Sequence, residues 1–198
     1  MRKHATIVLV SAALMHAPTL ASAQSAQRFS IQASGLFASL SGDAYDGLEG
    51  GIGFEAQFRY NPSAFSIGAG LQYTRHGVDD EFFGDESVGL VGGFLEPRYV
   101  FDIKSNRAAP YVSGRLSYMR LRLDADEGWL ETNGVQLNAG GGVLFRLSPK
   151  LNLDIGATFG RVDFGDVTIN VGGEDFTTEG SDGGNLVVRI GLAFGLGR

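Results

Sequence analysis

Nine charged side chains stand inside segments that are otherwise apolar, small or amide-bearing: Glu55, Arg59, Glu96, Arg98, Asp102, Arg115, Arg146, Asp154 and Arg189. Each falls on the polar side of a two-residue alternation, and residues two apart on an extended chain share a face. Charges taken out of water must be paired and hydrogen-bonded. The fork of an arginine guanidinium suits that task, because it can bridge two acceptors. Four acids against five arginines nearly balance. The set could therefore lock together as a structural polar plug, or it could line a narrow path for ions or solutes.

The remaining acids lie elsewhere. Of 22 acidic residues, 18 fall in four polar stretches: Ser41–Glu49, His76–Ser87, Asp124–Thr132 and Val162–Gly184. They include Asp79, Asp80 and Glu81, and also Glu174 and Asp175. Such a rim would attract an extracellular cationic or protein ligand. Carboxylate oxygens also suit Ca²⁺ or Mg²⁺, but no stretch has EF-hand spacing and no metal site is expected. Trp129, Leu130, Phe82 and Phe83 are apolar residues among these acids. They would act as binding anchors or fold back on the rim.

Catalytic chemistry finds little support. His76 is the only histidine outside the first 23 residues. A general base needs a nucleophile and an orienting acid within reach. Asp79 and Asp80 are near in sequence, but no serine adjoins His76, and Ser41 or Ser87 could reach it only through the fold. The expectation is no enzyme, with a rim lipid hydrolase built on His76 as the weakest rival. No Gly-rich segment opens a helix, so no phosphate loop and no cofactor is expected. An acidic net charge argues against nucleic acid.

The elements that must position these residues read as strands. Ile52, Phe54, Ala56, Phe58 and Tyr60 alternate with Gly53, Glu55, Gln57 and Arg59, the mark of a strand with one apolar and one polar face. Further strands are predicted over 64–75, 90–103, 110–123, 135–147, 151–161 and 186–196. The least regular covers 29–40, where Leu36 and Leu40 break the apolar face of Phe29, Ile31, Ala33 and Phe37. Three tight connections (Asn61-Pro62-Ser63, Lys104–Ala108 and Ser148-Pro149-Lys150) alternate with the four long acidic stretches. Short turns at one end and long loops at the other are the layout of an outer-membrane barrel. The expected fold is all-β: an eight-stranded antiparallel transmembrane β-barrel, an up-and-down meander. Its interior is just wide enough for side chains to fill, which favours the plug.

A soluble eight-stranded barrel would turn its polar face to water. Here that face carries Gly, Ser, Gln, Asn and single charges, and the only lysines after residue 3 are Lys104 and Lys150, both in short turns. Aromatics gather near strand ends: Tyr60, Tyr99, Phe101 and Phe145 on the short-turn side, and Phe37, Tyr73, Tyr118 and Phe159 on the other. Such girdles mark membrane interfaces.

The N-terminus reads as an export signal. Arg2 and Lys3 precede an apolar run from Ala5 to Leu14, and Ala21-Ser22-Ala23 offers a small-x-small cleavage site. Residues 1–23 are expected to be removed, leaving 24–198 as one barrel domain. Loss of Arg2 and Lys3 takes the formal net charge from −6 to −8. All 30 glycines lie after residue 23, a content hostile to helices, since each interior Gly costs about 1 kcal/mol relative to Ala. There is no cysteine, so the exported chain must hold itself together without disulfides.

Pro110-Tyr111-Val112-Ser113-Gly114 followed by Tyr118, and Glu96-Pro97-Arg98-Tyr99, resemble strand segments of the small eight-stranded outer-membrane β-barrels, the group of OmpX, the opacity proteins and the OmpA barrel. Ile190, Leu192, Phe194 and Leu196 resemble that group's C-terminal assembly signal, although the chain ends in Arg198 rather than an aromatic residue. The resemblance implies a non-enzymatic surface protein of the bacterial outer membrane, serving envelope integrity, adhesion or loop-mediated binding. It also implies contact with outer-membrane lipid and lipopolysaccharide and with the barrel assembly machinery. The peptidoglycan-binding domain of OmpA-like proteins is not expected after residue 198.

Overall fold

The computed structural model describes residues 27–78, 87–125, 128–171 and 174–196. The expected signal segment and the candidate contacts Asp79, Asp80 and Glu81 lie outside these residues.

Ten strands form one antiparallel sheet: β1 (Phe29–Ser41), β2 (Leu48–Tyr60), β3 (Phe65–Val78), β4 (Ser87–Val100), β5 (Ala108–Ala125), β6 (Gly128–Arg146), β7 (Leu151–Phe164), β8 (Val167–Val171), β9 (Glu174–Thr178) and β10 (Asp182–Leu196). Eight of them close a barrel. Strands β1 to β7 pair in chain order, β7 pairs with β10, and β10 returns to β1 from Phe29↔Leu196 to Ser41↔Gly184. The short β8 and β9 form a hairpin that adds to the outer end of β6, at Gly128↔Val171 through Glu131↔Thr168. Closure leaves no open edge among the eight strands, which is what a sheet in hydrocarbon requires.

The two-residue alternation decides what faces where, and it runs opposite to a water-soluble protein. On β2, Ile52, Phe54 and Phe58 are exposed while Glu55, Gln57 and Arg59 are buried. Leu71 is 69% exposed and Glu55 only 1%. An apolar belt of this extent is stable only against lipid. Phe29, Tyr60, Phe65, Tyr99 and Phe101 edge it at the short-turn end, where Phe29 stacks on Phe58 and Tyr99 meets Phe101 edge to face. Phe37, Tyr73, Tyr118 and Phe159 edge it at the other end.

Two expectations change. Strand β4 stops at Val100, so Asp102 is not in the interior: it is exposed in the 101–107 turn, where its Oδ1 accepts the Lys104 N–H at 2.8 Å. That bond supports Lys104 at a φ of 57°. The stretch Asp124–Thr132 is mostly strand, because β5 and β6 stay paired out to Ala125↔Gly128. Leu36 lies off the apolar face of its strand as expected, and points inward with Ala38 and Val187.

A charge placed on the lipid face should oppose insertion. Leu95 is half exposed midway between the girdles, and Leu95→Arg should cost about 2–4 kcal/mol, read as a lowered urea midpoint of the barrel refolded into lipid vesicles.

Candidate functional site

The interior is built around Glu96 on β4, which is fully buried. Four arginines from four strands reach it. Arg59 Nη2 (β2) and Arg98 Nη2 (β4) lie 2.8 and 2.9 Å from Oε1, and Arg115 Nη2 (β5) and Arg189 Nη1 (β10) each lie 2.6 Å from Oε2. Two further carboxylates complete the knot. Asp154 (β7) lies 3.0 Å from Arg98 Nη2, and Glu55 (β2) lies 2.8 Å from Arg115 Nη1. Buried ion pairs hold only when their remaining donors and acceptors are satisfied. Here Tyr111 donates its hydroxyl proton to Asp154 Oδ1 at 2.7 Å and accepts from Arg189 at 3.0 Å. Gln32 donates to Asp154, Gln57 accepts from Arg59, and Gln72 accepts from Arg115. Arg98 lies 3.9 Å above the Tyr111 ring and Arg115 the same distance above Phe94.

The glycines make room for this knot. A Cβ on Gly142 or Gly156 would land on the Tyr111 hydroxyl, and one on Gly68 would press on Arg59 and Gln57. Pro97, which has no N–H to give, leaves β4 unpaired with β5 between Leu95↔Leu116 and Arg98↔Ser113, directly beside Glu96.

Toward the loop end the interior turns apolar. Val88, Leu90, Met119, Leu121, Val162 and Phe164 are buried together. After β1 the chain turns through Gly42, at a φ of 92° that favours glycine, into a single 3₁₀ turn, Asp43–Tyr45. This turn lays Tyr45 over the cluster, edge to face with Phe164 at 5.7 Å. Burial raises the Tyr45 phenol above its ordinary value, so the ring stays neutral there.

His76 closes the same region. It is fully buried, with Nδ1 3.0 Å from the Glu49 carbonyl and Nε2 2.9 Å from Thr74 Oγ1. A carbonyl only accepts, so Nδ1 carries the proton and Thr74 donates to Nε2. Neither serine considered as a partner reaches it: Ser87 Oγ accepts from Arg75 Nε, and Ser41 Oγ donates to the Gly184 carbonyl. Among the described residues no cluster of three metal-ligating side chains forms.

Of the interior residues expected from the sequence, Glu55, Arg59, Glu96, Arg98, Arg115, Asp154 and Arg189 meet in one network. Arg146 is half buried at the short-turn mouth, and Asp102 is outside. Gln57 and Gln72 lie on polar faces of their strands; Tyr111, Phe94 and Gln32 were missed, although the parity of Tyr111 with Arg115 and of Phe94 with Glu96 carries the signal. On the rim, Arg75 and Arg122 share a row through Gly89. Arg120 and Arg122 both approach Glu131, and Arg122 sits 5.7 Å from the Trp129 ring. Glu174 and Asp175 are exposed on β9, where Asp175 accepts from Asn170 at 2.6 Å.

The model for the outer membrane protein beta-barrel domain matches residues 7–194. Among solved structures, Neisserial surface protein A aligns at a TM-score of 0.58 and 19% identity, over 85% of this chain and 97% of that one. The outer membrane protein OprG from Pseudomonas aeruginosa aligns at 0.55 and 14%, over 87% and 98%. A major outer membrane protein from Thermus thermophilus aligns at 0.54 and 16%, over 85% and 98%. At these identities the likeness is one of fold. No curated protein matches the chain in sequence.

Removing the hub should be costly, because it strands four arginines. Glu96→Ala is expected to destabilise the barrel by about 3–5 kcal/mol, measured by urea unfolding in lipid. Gly156→Ala, which drives a methyl onto the Tyr111 hydroxyl, should cost about 1–3 kcal/mol in the same assay.

Proposed function

The chain belongs to the outer membrane β-barrel family and resides in the bacterial outer membrane, and we propose that it serves there as a non-enzymatic surface protein whose lumen is closed and whose outward-reaching strands do the binding. The observation that carries this reading is the Glu96 knot with the apolar cluster above it. An ion entering from outside would meet Tyr45 and the apolar cluster beneath it, then the Glu96 knot, where every carboxylate is already held by arginine. Moving a hydrated ion through either layer requires breaking contacts that have no replacement.

Binding then falls to what stands clear of the membrane. The β8–β9 hairpin presents Glu174, Asp175 and the exposed Phe176, chemistry suited to a basic partner protein. Arg75, Arg120 and Arg122 stand just above the girdle, where lipid phosphates, including those of lipopolysaccharide, would lie. Export through removal of residues 1–23 and recognition of the alternating β10 by the assembly machinery belong to the same reading. His76 gives a rim hydrolase no support: it is fully buried, its Nδ1 is oriented by the Glu49 carbonyl and not by a carboxylate, and the Thr74 hydroxyl on its Nε2 is buried as well.

Single-channel recording in a planar bilayer tests the closed lumen. The refolded, inserted protein should be electrically silent. Steady current steps that change when Arg59 or Arg98 is replaced would make the interior a solute path and overturn the proposal.

A further inference from the structure

With Asp102 outside and Arg146 at the mouth, the buried charges do not balance. The knot contains Arg59, Arg98, Arg115 and Arg189 against Glu55, Glu96 and Asp154, one positive charge in excess. Arginine does not release its proton under these conditions. Tyr111 cannot supply the missing negative charge, because it donates its proton to Asp154. Arg146, half buried at the short-turn mouth, has the same positive sign. An uncompensated charge in a barrel interior is expensive, so the fold needs a counter-ion.

The interior has a place for one. Between the knot and the short turns lies a cavity of about 20 Å³, lined by Arg59, Arg98, Ser30, Ser66, Asn61 and Asn152 among others, with no carboxylate in its wall. That volume exceeds the roughly 10–15 Å³ one water-sized occupant needs. The Nε–H groups of Arg59 and Arg98 are buried and have no hydrogen-bond partner. Ser66 Oγ accepts from Arg59 and Ser30 Oγ accepts from Asn61, so each hydroxyl proton remains to be donated elsewhere. Two arginines, two free hydroxyl protons and no acid form a donor set for an anion, and the size limits it to a monatomic one.

We propose that this cavity binds a halide ion, chloride in the cell, as a structural counter-ion of the barrel interior. The cavity lies on the short-turn side of the knot, away from the apolar cluster above.

The test uses protein purified from outer membranes into detergent. At constant ionic strength, its thermal unfolding midpoint should rise saturably as sodium gluconate, whose anion is too large to enter, is replaced by sodium chloride or bromide. The rise should be about 3–5 °C at tenfold the half-saturating concentration. Crystals grown in bromide should show an anomalous peak between Arg59 and Arg98. Asn152→Asp places a carboxylate in the wall as an internal counter-charge, and it should abolish both the shift and the peak. Equal midpoints in halide and gluconate with no anomalous peak would mean that the cavity holds water, and would overturn the proposal. So would a halide effect that persists unchanged in Asn152→Asp, since the ion would then act elsewhere.

Discussion

One carboxylate, Glu96, contacts four arginines in a space without bulk water, and much of the molecule follows from that constraint. A buried arginine needs acceptors for most of its five N–H donors, and four guanidinium groups cannot converge unless neighbouring walls give way. The inward positions on β6 and β7 are accordingly glycine where Tyr111 and Arg189 pass. The high glycine content that reads in the sequence as helix-hostile is, at these positions, the volume complement of long interior side chains. The glutamines on β1, β2 and β3 occupy the acceptors and donors that ion pairing leaves over.

The strands also change solvent along their length. Up to Tyr118, β5 places apolar residues outward and Ser113, Arg115 and Ser117 inward. Beyond it, the same parity puts Arg120 and Arg122 outward and Met119 and Leu121 inward. Strand β7 switches in the same way, from Phe159 outward and Thr158 inward to Arg161 outward and Val162 inward. The geometry is continuous and the polarity inverts. Below the switch the barrel is a membrane protein with a polar interior; above it, the barrel is an ordinary water-soluble sheet with an apolar core. Tyr45 and His76 complete that upper core.

The period-two pattern made the barrel's eight strands, their antiparallel order and most of the interior charges legible in the sequence, though not the β8–β9 hairpin, because period two leaves little freedom about which side chains share a face. It did not reveal where a sheet ends. Asp102 has the parity of Glu96 and Arg98, but pairing stops at Val100, and parity means nothing in a turn. The upper apolar core was hidden for a related reason. Leu130 and Val162 lie among acids and arginines, so composition marked these stretches as loops, although alternation continued through them with its polarity reversed. Tyr45 was illegible because it enters the core from a 3₁₀ turn, where no periodicity reports direction.

The location of the network's members has a consequence for how the barrel closes. Glu55 and Arg59 belong to β2, Glu96 and Arg98 to β4, Arg115 to β5, Asp154 to β7 and Arg189 to β10. No single hairpin contains the whole set. The β4–β5 hairpin alone has one acid against two arginines, and β10 has an arginine with no acid at all. Each incomplete assembly would expose unpaired charge to hydrocarbon, at a cost of several kcal/mol per ion. Partly closed states therefore leave open strand edges and, on β10, an arginine without its carboxylates, and both are relieved only when β10 meets β1. The ion knot thereby couples the last strand to the middle of the chain and makes closure all-or-none, whatever small stability it contributes once closed.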